Sequence, residues 1–443
     1  MSAVPVSRRR FITGVSASAA SLMVVPRHVL GRGFQAPSDT LNIAGVGVGG
    51  RGRADVRGCA SQNITALCDV DPELAARTYA EFPKATTYID YRVMFDREPD
   101  LDAVIIATPD HTHAVIAMEA MRRGKHVYCE KPLTRTVAEA RALATMATEQ
   151  GVATQMGNQG HAGEGTRQIR EWIDAGAIGT VREVQYWTNR PIWPQAIERP
   201  TEAHHPPAGL DWDLFLGPAR ERPYHPSYHP FAWRGWWDYG TGALGDIACH
   251  SMDAAFWALD LDQPTRIESE TTRLFEESAP AVSRITYEFP ANGSRGPIRF
   301  VWRDGNLTMP RPSQLAPHEQ LPGGNSGQLF VGTEGVLGAD IYGRAPRVFP
   351  AERHHDLMAS SPPSTYPRSS GVYSEWIEAC KGRGTAGSNF PGHAGPLTEI
   401  CLLGNLAVRT GKAIDWDAVT MRATNVPEAN AFLDEPYRAG WSL

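Results

Sequence analysis

The segment LNIAGVGVGGRG, at residues 41–52, places an apolar run directly before a cluster of glycines. Gly45, Gly47 and Gly50 fit the spacing G-x-G-x-x-G at the end of a predicted strand. With that spacing, the first glycine permits a tight turn and the second lets the backbone approach a pyrophosphate. The third lets the next helix pack closely, so that its N-terminal N–H groups point at the phosphates. The segment therefore predicts an α/β domain that binds a dinucleotide.

An acidic residue at the end of the next predicted strand supports this interpretation. Asn63 to Asp69 reads as a second strand, and Asp69 follows Gly50 by 19 residues. A carboxylate at that distance accepts hydrogen bonds from the adenosine ribose and repels a 2′-phosphate, which favours NAD over NADP. Arg51 and Arg53 leave NADP as an alternative cofactor, because arginine can bind its 2′-phosphate. The alternative is a glycine turn in an unrelated α/β domain, with Asp69 as a helix cap.

The chain opens with the basic and then apolar layout of an export signal. Residues 7–12 read SRRRFI, and a stretch of small and apolar residues follows from Gly14 to Val25. Paired arginines before Phe-Ile are typical of the twin-arginine route, and the apolar stretch is shorter than the ~20 residues that span a bilayer. We expect residues 1–36 to be this signal and the protein to be periplasmic or otherwise extracytoplasmic. A disordered basic tail is the alternative.

Charge and cysteine content narrow the class of partner. The formal net charge is −6, and the five arginines of residues 1–36 face no acidic residue there, so the remainder is more acidic still. This balance disfavours nucleic acid or an anionic membrane as the main partner. The cysteines include no C-x-x-C pair, which predicts buried free thiols in place of a disulfide framework. They are Cys59, Cys68, Cys129, Cys249, Cys380 and Cys401.

Predicted strands and helices alternate after the signal, as in a doubly wound parallel sheet. We expect a dinucleotide-binding domain of the Rossmann type over residues 37–160. The predicted strands are Leu41–Gly45, Ile64–Asp69, Leu101–Thr108, His126–Cys129 and Val152–Met156. The predicted helices are Gly50–Ala60, Pro72–Glu81, one that ends at Arg123, and Thr136–Gln150.

A second, α+β domain is expected over residues 161–443. From Thr265 to Leu307, polar and apolar residues alternate, as in a large and mostly antiparallel sheet with one wet face. Residues 310–326 and 351–370 are rich in Pro, Ser and Gly and are predicted loops. Predicted helices follow at Val372–Cys380 and Leu397–Thr410. Packing of these C-terminal helices against the first domain is an open alternative.

Candidate cofactor-binding residues lie at the predicted carboxyl ends of the strands, where open α/β sheets bind ligands. They are Gly45, Gly47, Gly49, Gly50, Arg51, Asp69, Thr108, Pro109, His111, His113, Glu130 and Lys131. For the loop that holds His111 and His113, a polar helix start with an N-cap is the alternative.

Two motifs resemble those of the Gfo/Idh/MocA oxidoreductase family, named after glucose–fructose oxidoreductase and inositol dehydrogenase. The first is Glu130-Lys131-Pro132 after a strand, and the second is Asp246-x-x-x-His250 on a predicted helix. The resemblance covers the chain from about residue 40 to its end. It implies NAD(H)-dependent chemistry at a CH–OH group of a sugar, cyclitol or glycoside. It also implies a catalytic set of Lys131, His250 and Asp246, and a cis bond before Pro132.

The residue types themselves suit proton transfer. Asp246, His250 and Asp253 are spaced i, i+4 and i+7, so they share one face of a predicted helix. A carboxylate one turn from an imidazole fixes its tautomer, and a neutral imidazole suits removal of a hydroxyl proton. Lys131 would add positive charge beside the reacting oxygen. The alternatives are a helix-stabilising pair that faces a core and a surface lysine before a proline turn.

Histidines are numerous enough to keep a metal site as a further alternative, with Asp246 and His250 spaced as two ligands on a helix. We expect no metal, because the motifs favour hydride transfer and His204-His205 lies in a Pro-rich loop. The histidines concerned are His161, His204, His205, His225, His229 and His250.

Two stretches suggest a carbohydrate site. Residues 155–161, QMGNQGH, supply amides and an imidazole, and residues 233–239, WRGWWDY, supply flat rings beside polar donors. The alternative for the tryptophans is a loop anchor or a subunit contact. We expect a small carbohydrate or polyol to contact Asn158, His161, Trp236, Asp246 and His250.

Three further expectations concern function and assembly. A redox-neutral, NAD-dependent glycosidase on the same fold and a non-catalytic, NAD-holding binding protein stay open as alternatives. Residues 239–243, YGTGA, depart from the Tyr-Pro-Thr-His-Gly type of stretch in the best-known group of such glycosidases, which disfavours the first. Free nicotinamide cofactor is scarce outside the cytoplasm, so an exported enzyme should hold NAD tightly. The alternating strands favour a homo-oligomer.

Overall fold

Two β-sheets, one parallel and one mostly antiparallel, organise the chain. The computed structural model describes residues 39–293 and 295–443, so the predicted export signal lies outside the described residues. Both sheets belong to one compact unit, Asn42–Leu443. Among the described helices, none is both long and apolar enough to cross a bilayer.

The first sheet has six parallel strands in the order β3-β2-β1-β4-β5-β6. The strand order reverses between β1 and β4, and ligands bind at such a point in open α/β sheets. The strands are β1 Asn42–Val46, β2 Asn63–Cys68, β3 Thr86–Tyr88, β4 Ala103–Ile106, β5 His126–Cys129 and β6 Thr154–Met156. The helices are α1 Gly50–Gly58, α2 Pro72–Glu81, α3 Tyr91–Arg97, α4 Asp110–Arg122 and α5 Val137–Gln150. The predicted doubly wound sheet is confirmed, with β3 and α3 as additional elements.

Local sequence explains the firmest of these elements. All four residues of β4, AVII, are buried, as expected for a strand that helices cover on both faces. Helix α5 begins with a capping box, in which Glu139 N donates to Thr136 Oγ1 (3.3 Å) and Thr136 N donates to Glu139 Oε2 (2.9 Å). The helix ends at Gly151, which has a φ of 62°.

The second sheet has nine strands in the order β13-β12-β11-β7-β10-β9-β8-β14-β15. Its pairs are antiparallel except β10 with β7. The predicted alternation is confirmed in β9, where Ile285, Tyr287 and Phe289 are buried. The strands are β7 Val181–Trp187, β8 Arg266–Thr271, β9 Ser283–Phe289, β10 Ile298–Arg303, β11 Gly327–Gly332, β12 Val336–Asp340, β13 Arg347–Phe349, β14 Ile414–Asp417 and β15 Arg422–Ala423.

The helices of this second part include one that the sequence analysis assigned to a loop. They are α6 Glu164–Asp174, α7 Trp212–Leu216, α8 Gly242–Ser251, α9 Asp253–Ala258, α10 Ala351–Ala359, α11 Val372–Cys380 and α12 Gly395–Thr410. The predicted loop over 351–370 is wrong for its first nine residues, which form α10. The Pro and Ser content that suggested a loop begins at Ser360, after the helix, and Pro350 directly precedes the helix.

Helix α12 packs against both α5 and α8 and so connects the two sheets. Arg141 on α5 forms an ion pair with Glu399 on α12 (Nη2–Oε1, 2.6 Å). On the other side, Cys401 Sγ lies 3.6 Å from Cys249 Sγ. All six cysteines are free thiols, and all but Cys380 are buried, which confirms the prediction from their spacing.

Loss of the α5 capping box should reduce stability measurably. We expect Thr136→Ala to lower the free energy of unfolding by about 1 kcal/mol, because the buried N–H of Glu139 loses its acceptor. Urea unfolding followed by circular dichroism measures this. Thr148→Ala, on the exposed last turn of the same helix, should change stability by less than about 0.5 kcal/mol. Equal losses in the two variants would contradict the assignment.

Candidate active site

The glycine turn after β1 is closed by backbone contacts that leave no room for side chains. Gly47 has a φ of +76°, and a Cβ there would lie 2.7 Å from Thr108 N. A Cβ on Gly52 would lie 2.0 Å from the Gly47 carbonyl oxygen, whereas a Cβ on Gly50 would meet nothing within 4 Å. The close packing of α1 that the spacing assigned to Gly50 therefore depends on Gly52. Gly50 is needed for its φ of +48° instead.

The amino end of α1 is suited to an anionic group. Gly49 at the N-cap has no side chain to accept from the first N–H groups, and the first turn contains no acidic residue. Unsatisfied N–H groups and the positive end of the helix dipole together form an anion site. The pyrophosphate of a dinucleotide fits these groups. Arg51, in the first turn, is already paired with Asp55 (2.8 Å) and Glu130 (3.1 Å).

Asp69 lies beside this turn, as predicted from its spacing. Its Oδ2 accepts a hydrogen bond from Gly49 N (2.9 Å), and its Oδ1 accepts one from Asp71 N (3.0 Å). Burial raises the pKa of Asp69 to about 6. Arg53 forms an ion pair with Glu81 on α2 and does not line the cavity. Of the two arginines that kept NADP open, Arg53 is thus occupied elsewhere.

A single cavity of about 610 Å³ runs from the glycine turn to residues of the second part of the chain. This volume is within the usual range for cofactor and small-molecule sites, ~300–1,000 Å³. Its lining on the Asp69 side includes Leu74, Ile89, Tyr91 and Trp441. Its lining on the other side includes Lys131, Arg190, Ile192, Trp193, Phe231, Arg234, Asp246, His250 and Tyr342.

An ion pair joins the end of β5 to α8 inside this cavity. Lys131 Nζ lies 2.8 Å from Asp246 Oδ1 and donates as well to the Asp246 carbonyl oxygen (2.8 Å). Arg234 Nε lies 3.3 Å from the same carboxylate oxygen. Burial alone would lower the pKa of Lys131, but the charges of Asp246 and Glu130 outweigh it and raise that pKa. Burial alone would raise the pKa of Asp246, but Lys131 and Arg234 lower it to about 2. Both groups are therefore charged at neutral pH.

His250 faces the cavity as a neutral imidazole. It is 5% exposed, and its ring centroid lies 4.8 Å from that of Tyr342. Burial and the charge of Lys131 lower the pKa of His250 to about 3. Its Nδ1 is buried without a hydrogen-bond partner, so Nε2 is the nitrogen left to face the cavity. The expected contact from Asp246 is absent among the described hydrogen bonds, because that carboxylate is occupied by Lys131 and Arg234.

Asp253 is turned away from the cavity, which corrects the expectation of one shared helix face. Helix α8 ends at Ser251 and α9 begins at Asp253. The Asp253 carboxylate forms a buried cluster, in which Oδ1 lies 2.9 Å from Asn158 Nδ2, 3.0 Å from His161 Nδ1 and 2.5 Å from His393 Nε2. Asn158 and His161, predicted to contact substrate, therefore do not line the cavity. A buried carboxylate needs such donors to offset its lost hydration.

Within the described part of the chain, the same cluster is the one group of three potential metal ligands. The contacts of Asp253 with His161 and His393 have hydrogen-bond lengths. Asn158 donates to the same carboxylate oxygen, Oδ1. Burial alone would raise the pKa of Asp253, but hydrogen bonds and charge from the two histidines hold it well below its usual range. The structure therefore gives this cluster a hydrogen-bonding role.

Three other predicted site residues position the backbone around the cavity without lining it. His111 Nε2 lies 2.8 Å from the Phe215 carbonyl oxygen, and His113 bridges the carbonyls of Thr108 (2.8 Å) and Pro132 (2.9 Å). Burial lowers the pKa of both imidazoles. Trp236 is 2% exposed and donates from Nε1 to the Ser227 carbonyl (2.8 Å). Buried polar groups of this kind must be hydrogen-bonded, and the backbone satisfies them here.

Of the remaining predicted cofactor-binding residues, all except Gly45 line the cavity. Gly45 packs beneath the turn, against Val48 and Val56. The remainder line the cavity: Gly47, Gly49, Gly50, Arg51, Asp69, Thr108, Pro109, Glu130 and Lys131. The Lys131–Pro132 peptide bond is cis, as the resemblance implied.

Among the lining residues that sequence reasoning missed are four polar ones, two of which lie in stretches it had singled out. Arg234 and Gln159 lie in the two stretches singled out for carbohydrate binding, and Gln159 Nε2 donates to Glu130 Oε1 (2.9 Å). Arg190 and Tyr342 follow β7 and β12, and no motif marked them. The polar composition of the two stretches was a usable signal for the first pair.

Comparison with known proteins is consistent with this architecture. Residues 41–158 match the model of the Gfo/Idh/MocA oxidoreductase family described as an NAD-binding Rossmann fold. Residues 167–296 match the model of that family's C-terminal α/β domain. The chain belongs to the Gfo/Idh/MocA oxidoreductase family. Its dinucleotide cofactor is accordingly NAD.

Similar curated proteins act on carbohydrates by name. Over 194 residues the chain is 29% identical to levoglucosan dehydrogenase of Pseudarthrobacter phenanthrenivorans, which covers 43% of this chain and 40% of that protein. Over 315 residues it is 25% identical to a glycosyl hydrolase family 109 protein of Shewanella putrefaciens, with coverage of 67% and 61%. A 1,5-anhydro-D-fructose reductase of Ensifer adhaerens is 30% identical over 165 residues, with coverage of 37% and 40%. The matched segments thus span less than two thirds of each relative.

Solved structures share the fold across most of the chain. The WlbA dehydrogenase from Bordetella pertussis, in complex with NADH and UDP-GlcNAcA, superposes with a TM-score of 0.60 at 17% identity. It covers 85% of this chain and 99% of its own. Levoglucosan dehydrogenase, in complex with NADH and L-sorbose, gives 0.57 at 18% identity, with coverage of 85% and 98%. At these identities the likeness establishes the fold.

The lowered pKa of His250 should appear in the pH dependence of stability. The unfolded state takes up a proton near pH 6.5 and the folded state does not until about pH 3, so this group removes stability as pH falls below about 6.5. Between pH 8 and pH 5 we expect the loss in wild type to exceed that in His250→Asn by about 2 kcal/mol. Urea unfolding of both proteins at the two pH values, at equal cofactor content, measures the difference.

The matched control is His355→Asn, whose side chain is 85% exposed. This variant should show the same pH dependence as wild type. If His250→Asn also loses as much stability as wild type on acidification, the imidazole is not held neutral.

Proposed function

We propose that the protein is an NAD(H)-dependent oxidoreductase that moves hydride between the cofactor and a hydroxyl- or ketone-bearing carbon of a sugar, cyclitol or glycoside. The observation that carries the proposal is one cavity shared by the glycine turn, the Lys131–Asp246 ion pair and neutral His250. Cofactor groups and proton-handling groups therefore meet in one enclosed space. The family membership supports the same chemistry.

When bound, NAD would accept or return the hydride at nicotinamide C4. The chain's own groups handle the substrate oxygen. Lys131, charged and held by Asp246, stabilises negative charge that develops on that oxygen. His250 exchanges the hydroxyl proton through the ring nitrogen that faces the cavity. Because the pKa of His250 is low, a proton that arrives there is held weakly and passes on readily.

The names of the relatives support a carbohydrate substrate. Levoglucosan dehydrogenase and 1,5-anhydro-D-fructose reductase match 194 and 165 residues, respectively, and both names denote redox chemistry on sugars. In the cavity, the rings of Trp193, Trp233 and Phe231 lie beside the cation Arg234. A flat ring next to hydrogen-bond donors suits the apolar face and polar rim of a pyranose.

A redox-neutral glycosidase is the second candidate. It is favoured by the relatives named glycosyl hydrolase family 109 proteins, whose match extends over 315 residues of both parts of the chain. Such an enzyme would oxidise a ring hydroxyl to a ketone, eliminate the aglycone as an alcohol, add water to the resulting double bond and reduce the ketone again, with no net change in bound NAD. An accumulated keto sugar supports the dehydrogenase, whereas a released aglycone without keto product supports the glycosidase.

His250 and Lys131 should be needed for turnover and dispensable for holding the cofactor. We expect His250→Asn to lower kcat by about 10²- to 10⁴-fold, because the substrate hydroxyl loses its proton partner. Lys131→Met should lower kcat as well, by removing charge stabilisation at the reacting oxygen. Turnover is measured from the absorbance of reduced nicotinamide over a panel of glycosides, and bound NAD by mass spectrometry of the denatured protein.

The exposed His355→Asn variant is the control and should keep wild-type turnover. Intact NAD with lost turnover in His250→Asn supports an enzyme. A wild type that holds NAD but turns over no glycoside in the panel would favour the binding protein instead.

We also propose export by the twin-arginine route, tight retention of NAD and assembly into a homo-oligomer. The sequence motif of residues 7–12 supports export, and the alternating strands of the second sheet support assembly. In a bacterium with a working twin-arginine pathway, we expect the full chain in the periplasmic fraction with about one NAD per chain. Replacing Arg8, Arg9 and Arg10 by lysine should keep the protein in the cytoplasm. Equal periplasmic amounts of both forms would contradict the route.

A further inference from the structure

Arg190 places a positive charge in the cavity without a charged partner. It follows β7 and lines the cavity beside Ile192 and Trp193. Its Nη1 donates to the Asn189 amide oxygen (2.7 Å). Within residues 39–293 and 295–443, no carboxylate lies within 4.0 Å of the Arg190 guanidinium. Arg190 is partly buried.

Each of the other lysine and arginine side chains of the lining has a carboxylate partner. Arg51 pairs with Asp55 and Glu130, and Lys131 and Arg234 share Asp246. One carboxylate thus serves two cations beside His250. Asp110 also lines the cavity, where its Oδ2 accepts from Thr241 Oγ1 (2.7 Å) and burial raises its pKa to about 7.

Arg190 lies at the same edge of the second sheet as a residue that contacts His250. Arg190 follows β7 and Tyr342 follows β12, and both strands pair antiparallel with β11, so they run in the same direction. The Tyr342 ring lies 4.8 Å from that of His250. Three residues beyond Arg190, the Trp193 ring lies 5.9 Å from the Arg234 guanidinium. The unpaired charge of Arg190 is therefore placed in the part of the cavity that holds the groups proposed to handle the substrate.

A partly buried cation without a partner pays a desolvation cost, and an anionic ligand offsets it. The planar guanidinium matches a carboxylate in geometry, through two parallel N–H···O bonds. Ile192 is 62% exposed and Phe231 is 46% exposed at the same part of the cavity, so apolar surface is available for a sugar ring. A ring that carries a carboxylate satisfies both features.

We propose that the substrate is a sugar acid, a hexuronate or a glycoside of one, and that Arg190 binds its carboxylate. This inference rests on the proposed oxidoreductase function and narrows its substrate class. Arg190 acts in binding and specificity, and the hydroxyl chemistry stays with His250 and Lys131.

The test compares matched pairs of substrates on the holoenzyme. Methyl glucuronide, galacturonide and mannuronide are each assayed against the corresponding neutral methyl hexoside, in both anomers, by reduction of bound NAD. We expect at least one acid to react with a kcat/KM about 10- to 100-fold above that of its neutral partner, as one charge-assisted pair allows.

Variants then assign the preference to one residue. Arg190→Gln should raise KM for the acid by about 10- to 100-fold, with kcat and the neutral hexoside nearly unchanged. Arg190→Lys should fall between, because it keeps the charge and loses the planar fork. Arg182→Gln, at an exposed arginine on β7, the strand that precedes Arg190, is the matched control and should behave as wild type.

Each outcome of these assays either supports or contradicts the proposed role of Arg190. Neutral hexosides that react as well as the acids, or no reaction with any acid, overturn the sugar-acid substrate. A weaker hold on NAD in Arg190→Gln, with no change in KM for the acid, assigns Arg190 to the cofactor and overturns its proposed role. If neutral sugars react in a His250-dependent way, the oxidoreductase proposal stands while this one fails. If nothing reduces bound NAD, both fail.

Discussion

The contact between Lys131 and Asp246 joins the end of a parallel strand to a helix of the second sheet, and the remainder of the site is arranged around it. Two charges taken out of water cost several kcal/mol each, and only close geometry with further hydrogen bonds offsets that cost. Here the lysine also reaches the carbonyl of Asp246, and Arg234 adds a second cation to the carboxylate. Removal of Asp246 would leave two cations uncompensated, whereas removal of either cation would leave one ion pair, so the carboxylate of Asp246 is the group on which this contact across the cavity depends.

The neutral state of His250 follows from the same pair. Lys131 lies close enough to make a second positive charge unfavourable, and burial acts in the same direction. The negative charge of Asp246 alone would favour the imidazolium form of His250, but its carboxylate is already paired with Lys131 and Arg234. Neutrality at His250 and charge at Lys131 are therefore one electrostatic arrangement, and it supplies a proton acceptor and an oxyanion partner in the same enclosed volume.

Most of the first sheet could be predicted from the sequence because its signals are local. Continuous apolar strands, glycine spacing and amphipathic helices each lie within a short window, and the structure contains the elements they predict. The role of Gly52 could not be predicted, since it depends on the distance between α1 and the Gly47 carbonyl. Residues 351–359 form a helix, although the sequence analysis assigned them to a loop. The prolines and serines that suggested the loop lie outside these nine residues.

The sequence identified the residues of the site better than the contacts that they make. Asp246, His250 and Lys131 share the cavity, but helical spacing wrongly paired the carboxylate with the imidazole. His161 and Asp253 are 92 residues apart, and a contact over such a separation leaves no trace in either local pattern. Polar side chains at strand ends can face the ligand or the backbone beneath it. His111 and His113 face the backbone.

The unpartnered Nδ1 of His250 has a consequence for the resting state of the ring. Nδ1 is buried without a partner in either neutral tautomer, as an N–H or as a bare lone pair, and either costs about 1–3 kcal/mol. With the hydrogen on Nδ1, Nε2 presents a lone pair that accepts the proton of a hydroxyl. With the hydrogen on Nε2, the same nitrogen donates to the oxygen of a ketone. An imidazole whose buried nitrogen has no partner is therefore not fixed in one tautomer, and it serves hydride transfer in either direction.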